Sequence, residues 1–127
     1  MRLMGIDYGS KRVGVSVSDE SGQMAFPEVV LSNDSDLLKN LVALIEDKGV
    51  EEVVVGHSLN RDGSENKIHS EVEELMEDLT LELGLPIHLE PEQYSTKEAE
   101  QIQGRNDMVD ASAATIILNS YITKKKI

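Results

Sequence analysis

Met4-Gly5-Ile6-Asp7-Tyr8-Gly9-Ser10-Lys11-Arg12-Val13-Gly14-Val15-Ser16-Val17-Ser18-Asp19 decides the fold, because two alternating runs, Met4 to Tyr8 and Val13 to Val17, flank a Gly-Ser pair. Alternation on both sides of a turn signal predicts a tight β-hairpin. A turn centred on Gly9-Ser10 would set Asp7 opposite Arg12, Gly5 opposite Gly14 and Met4 opposite Val15. Period-two logic then collects Met4, Ile6, Tyr8, Val13, Val15 and Val17 on a core face, and Leu3, Gly5, Asp7, Arg12, Gly14 and Ser16 on the other. The second face has almost no side-chain bulk around Asp7, a clearing that suits a metal ion or a phosphate. A cross-strand Asp7–Arg12 ion pair satisfies the same pattern.

Outward from the hairpin, Met24 to Leu31 reads as a third strand, with Pro27 marking a sheet edge. Asn33-Asp34-Ser35 supplies helix-capping residues, and Leu37, Leu38, Leu41, Val42, Leu44 and Ile45 recur at helical spacing until Gly49. Glu51 to Gly56 is a short strand of the doubly buried type, and a helix between two strands predicts a right-handed crossover to parallel pairing. After a polar loop, Ser64 can cap an amphipathic helix carrying Ile68, Val72, Leu75, Met76, Leu79 and Leu83, stopped by Gly84 and Pro86. Ile87 to Glu90 is a fifth strand closed by Pro91. Ser95-Thr96-Lys97-Glu98 matches a capping box, and a last helix begins near Asp107 with Val109, Ala113, Ile116, Ile117 and Ile122 inward. Three antiparallel strands followed by two helix-strand units predict one α/β domain over 1–127, a five-stranded mixed sheet of order 3-2-1-4-5 flanked by helices.

In 127 residues there is no cysteine, which excludes a disulfide framework, thiolate zinc sites and a cysteine nucleophile. With no apolar leader and no span of about 18 apolar residues, the expectation is a cytoplasmic protein outside the membrane. The 24 acidic residues against 12 basic ones give a net charge of −12, which repels nucleic acid at long range. Glu71, Glu73, Glu74, Glu77, Asp78 and Glu82 read as the solvated face of one helix, so much of this charge sits away from a site. His57, His69 and His88 lack metal-ligand spacing.

Carboxyl ends of parallel strands gather at one rim, where ligand sites usually lie. Asp7 ends the first strand, the His57 to Ser64 loop follows the fourth, and Glu90 and Glu92 end the fifth. Asp110 sits in the first turn of the last helix, where the dipole alone would favour it, beside alanines that permit close approach to the sheet. Lys11, Arg12, Arg61, Lys67, Lys97 and Arg105 lie in or beside the loops of this rim. From these loops we take Lys11, Arg12, Asn60, Arg61, Ser64 and Thr96 as candidate substrate-binding residues.

Four stretches, Gly5 to Gly14, Val54 to Ser64, Glu92 to Ala99 and Asp110 to Leu118, together resemble the YqgF (RuvX) family, whose members are described as pre-16S rRNA nucleases and Holliday-junction-resolvase-like proteins. The resemblance implies a ribonuclease H-like fold and phosphodiester hydrolysis with Mg²⁺ or Mn²⁺. It implies Asp7, Glu92 and Asp110 as catalytic, metal-holding carboxylates. The substrate it implies is nucleic acid, with 5′-end processing of ribosomal RNA precursor the expected role and branched DNA the alternative, performed by a monomer or homodimer. Two departures stand out: Pro91-Glu92-Gln93 replaces the family's Asp-Glu-Arg, and Ser58 stands where a proline is usual. Glu90, of the same strand parity as Glu92, is a candidate for the missing acid. Two further readings stay open: a non-catalytic module that binds RNA or a partner, and a nucleotide-phosphate binder, since Asp-x-Gly before a glycine hairpin also resembles the phosphate loop of actin-like and sugar-kinase ATPases.

Overall fold

The computed structural model describes residues 1–9, 11–58, 67–92 and 109–125. In chain order these form β1 (Arg2–Tyr8), β2 (Arg12–Ser18), β3 (Ala25–Ser32), α1 (Leu37–Lys48), β4 (Val50–Ser58), α2 (Lys67–Leu83), β5 (Ile87–Glu92) and α3 (Val109–Lys125). The five strands make one sheet in the order β3-β2-β1-β4-β5. β1 is antiparallel to β2 and parallel to β4, β2 is antiparallel to β3, and β4 is parallel to β5. The expected sheet order therefore holds, with Pro27 on edge strand β3.

Alternation in β1 and β2 gives the sheet two unlike faces. On one, Met4, Ile6, Val13, Val15, Val53 and Val55 pack with Leu41 and Ile45 of α1 and Val72 and Leu79 of α2. On the other, Leu3, Ala25 and Val54 pack with Ile117, Leu118 and Ile122 of α3. This second face is thus not open polar surface, because α3 covers it. Ala111, Ala113 and Ala114 of that helix are buried, while Ile116, expected inward, is only half-buried.

Three expectations need correction. The hairpin pairs Asp7 with Gly14, Gly5 with Ser16 and Met4 with Val17, two residues further along β2 than a Gly9-Ser10 turn would give, so Asp7 does not face Arg12. A shift of two preserves side-chain parity, which is why both faces are as expected although the register is not. The fifth strand does not close at Pro91: Pro91 pairs with His57 and Glu92 with Ser58. Proline is tolerated there because β5 is an edge. Finally, α1 has Asp36 as N-cap without a side-chain cap, and Asp34 Oδ1 accepts the Asp36 N–H at 2.9 Å. Gly49 ends α1 as expected, with a left-handed φ of 67°.

Candidate active site

Asp7 is the penultimate residue of the central strand and is half-buried. Its neighbours in the row are Gly14 on β2 and Gly56 on β4, and beyond Gly56 comes Glu90 on β5. Asp7 is thus flanked in its row by two residues that carry no side chain. With strands about 4.8 Å apart, the backbone of Glu90 lies roughly 10 Å across the row. Glu92 pairs with Ser58, two residues beyond that row with the same parity. β1, β4 and β5 therefore bring Asp7, Glu90 and the backbone of Glu92 to one face at one rim.

Helix α3 meets this face at Gly5, two residues before Asp7. A Cβ added at Gly5 would lie 2.5 Å from Ser16 Oγ, 2.8 Å from the Ala114 carbonyl oxygen and 2.8 Å from Leu118 Cβ. Ser16, fully buried, donates its hydroxyl to the Ala114 carbonyl at 2.8 Å. Ile122 packs lower on the sheet with Leu3, so α3 runs opposite to β1. From Ala114, one helical turn rises about 6 Å to Asp110. From Gly5, two strand residues rise by a similar distance to Asp7. The backbone path thus carries Asp110, the second residue of α3, toward the rim at which Asp7 stands.

The β1–β2 connection at the same rim holds Lys11 and Arg12, both exposed. A Cβ at Gly9 would lie 2.6 Å from the Arg12 carbonyl oxygen. The Asn33 side chain donates Nδ2–H to the Gly9 carbonyl at 2.7 Å, and its backbone N–H donates to the Lys11 carbonyl at 2.9 Å. Tyr8 points into the opposite core and donates its hydroxyl to Glu71 Oε2 at 3.2 Å. Burial chiefly raises the Tyr8 pKa, with the Glu71 and Glu74 charges adding to it and a hydrogen bond from Asn33 opposing it.

Asn60, Arg61, Ser64 and Thr96, the loop around them and the short helix expected from Ser95 lie outside the described residues, as do Lys97 and Arg105. Among the described residues no group of three His, Asp or Glu side chains closes around a metal-sized point; of the three candidate carboxylates, only the side chain of Asp7 belongs to that set. Among them, too, no helix is long and apolar enough to cross a membrane.

A second polar cluster went unread in the sequence. Glu52 and Glu90, each 6% exposed, meet side chains from the C-terminal half of α3. His88 Nε2 lies 2.5 Å from Glu52 Oε1, Tyr121 donates to the same oxygen at 3.1 Å, and the His88 and Tyr121 rings stack with centroids 5.1 Å apart. Ser120 donates to Glu90 Oε1 at 3.3 Å, and Lys124 pairs with that oxygen as well. Glu90 thus serves to fasten α3 to the β5 edge. Burial, followed by the Glu52 carboxylate, raises the Tyr121 pKa. The partners are 30 to 69 residues apart in the chain, so no local spacing signals them.

The family model described as RuvX, Holliday junction resolvase, matches residues 1–124. A protein of Nitratidesulfovibrio vulgaris named as a candidate pre-16S rRNA nuclease is 36% identical over 132 residues, spanning 96% of this chain and 93% of the relative. Among solved structures, Thermus thermophilus RuvC in complex with a Holliday junction substrate superposes with a TM-score of 0.64 at 16% identity, covering 99% of this chain and 96% of that one. A ROK hexokinase, also from Thermus thermophilus, superposes with a TM-score of 0.51 at 19% identity over 83% of this chain but 38% of its own. The sheet order and these likenesses establish the ribonuclease H-like fold.

Proposed function

The chain belongs to the RuvX Holliday junction resolvase family, and from that membership we propose that it is a metal-dependent nuclease acting in 5′-end processing of pre-16S ribosomal RNA. The observation that carries this reading is the setting of Asp7, a carboxylate at the end of the central strand with glycine on both sides in its row. Hard divalent cations take oxygen ligands, and the Asp7 carboxylate supplies them with only glycines beside it in the row. Asp7, Glu92 and Asp110 are the residues that would hold Mg²⁺ or Mn²⁺. When bound, the ion supplies the charge that activates water and stabilises the leaving oxygen.

Lys11 and Arg12 hold the phosphate backbone from the hairpin connection, with Asn60, Arg61, Ser64 and Thr96 extending the contact. Gln93, where the family carries arginine, leaves one guanidinium fewer for this purpose. The protein works as a monomer or homodimer, and a ribosomal precursor as substrate sets the work in the cytoplasm. The phosphate-loop alternative has only a likeness of fold behind it, a ROK hexokinase superposing at 19% identity.

The test is cleavage of matched precursor-RNA and four-way-junction substrates with Mn²⁺, alongside Mn²⁺ calorimetry. Wild type cuts the RNA, and Asp7→Asn and Asp110→Asn each lower the rate by at least about 100-fold, since even groups that only support a metal ligand are worth up to about that much. Asp7→Asn also weakens the Mn²⁺ heat. Cleavage of the junction alone would transfer the assignment to branched DNA. No cleavage and no Mn²⁺ heat in any variant would leave a non-catalytic binding module.

A further inference from the structure

We propose that Asn33, a residue of neither the carboxylate set nor the basic loop, is the positioning residue that holds the Gly9–Arg12 connection, and with it Lys11, at the substrate phosphate. This rests on the nuclease reading above. Asn33 sits between β3 and α1 and takes both sides of the connection at once, through Nδ2–H to the Gly9 carbonyl at 2.7 Å and backbone N–H to the Lys11 carbonyl at 2.9 Å. Its own seat is braced. Asp34 N–H donates to the Ser32 carbonyl at 3.1 Å, Leu37 N–H donates to the Asp34 carbonyl at 3.1 Å, and Ser32 pairs with Arg12 in the sheet.

Gly9 and Lys11 are thereby tied to the segment that joins β3 to α1. The connection begins two residues after Asp7 and carries two exposed cations. Without the Nδ2 bond, the Gly9 carbonyl loses a part-buried donor and Lys11 gains freedom relative to Asp7. A cation on a mobile loop pays ordering entropy when it meets a phosphate. The consequence falls on substrate affinity and leaves the carboxylates in place.

The experiment compares wild type, Asn33→Ala and Asn33→Asp, the last isosteric but unable to donate. Amide hydrogen exchange comes first, then cleavage kinetics on the precursor-RNA oligonucleotide with Mn²⁺, each with and without Lys11→Ala. Exchange is expected to rise over residues 9–13 and to stay at wild-type rates in α2 and β4. KM is expected to rise roughly three- to tenfold, the worth of one hydrogen bond, with kcat little changed. Lys11→Ala should then cost less in either Asn33 variant than in wild type, because the two residues act on one contact. A purely structural role would lower Tm, leave KM unchanged and leave the cost of Lys11→Ala the same in every background, which would overturn the proposal. Unchanged exchange over 9–13 in both variants overturns it too. Failure of the nuclease reading is seen separately, as a wild type that cuts neither RNA nor junction, and the exchange result then decides the tether alone.

Discussion

Asp19 shows how much one short side chain can organise. Its Oδ1 accepts the N–H groups of Gln23 at 2.9 Å and Met24 at 3.2 Å, and its Oδ2 accepts the Ser21 hydroxyl at 2.5 Å. The turn it closes has Gly22 at φ 71°, where a Cβ would also lie 2.7 Å from the Met1 carbonyl oxygen. Ser21 first, then the two backbone donors, lower the Asp19 pKa to about 2. A carboxylate depressed in the folded state favours folding above its unfolded value of about 3.9, and that contribution fades as pH falls toward the folded value. Thermal melts taken from pH 5 to pH 2 should therefore lose less stability in Asp19→Asn than in wild type. Equal losses would mean that the turn does not favour the ionised acid. None of these bonds needs tertiary structure, and Ser21-Gly22 is by composition a turn signal. The role of Asn33 was not legible, because its composition signals a helix cap equally well and only the proximity of β1 redirects its donor.

At the scale of elements, the seating of α3 on the sheet decides whether Asp110 comes near Asp7. The contact works because Gly5 has no side chain, with the Ala114 backbone and the Leu118 side chain taking the space. Gly5→Ala has to push the helix off or displace Ser16 from its bond to Ala114. Overpacking of this kind costs about 1–3 kcal/mol, measurable by urea denaturation. Since the shift also moves Asp110, cleavage should fall further than the lost stability explains. Full activity in a folded Gly5→Ala protein would show that α3 need not approach so closely. The alanines of α3 were readable as a close approach, whereas the bare face around Gly5 reads in the sequence as a clearing for an ion or phosphate and is instead taken by the helix. The Glu52, His88 and Tyr121 cluster at the far half of the helix was not readable, since a lone strand histidine carries no sign of what will stack on it.

Across the whole molecule, a chain of net charge −12 has to bind a polyanion. Glu73, Glu74, Glu77 and Glu82 are exposed along α2, whereas Lys11 and Arg12 stand at the rim near Asp7. The attraction is then local, and each phosphate held on a single strand contributes about −0.7 to the slope of log affinity against log salt. Lys11→Ala should flatten that slope by about 0.7 in RNA-binding titrations. An unchanged slope would remove Lys11 from the phosphate contacts. By itself the sequence determined the order of the described strands and helices, the sheet order, which face of β1 and β2 turns inward and which family the motifs resemble, because all of these follow from periodicity, turn chemistry and short motifs. The tertiary structure alone decided the hairpin register, the row that sets Asp7 between Gly14 and Gly56, the seating of α3 and the partners of Asn33, Glu52 and Glu90. The physical reason is that sliding a strand by two residues leaves its alternation unchanged. Contacts between segments far apart in the chain form only when the whole core closes.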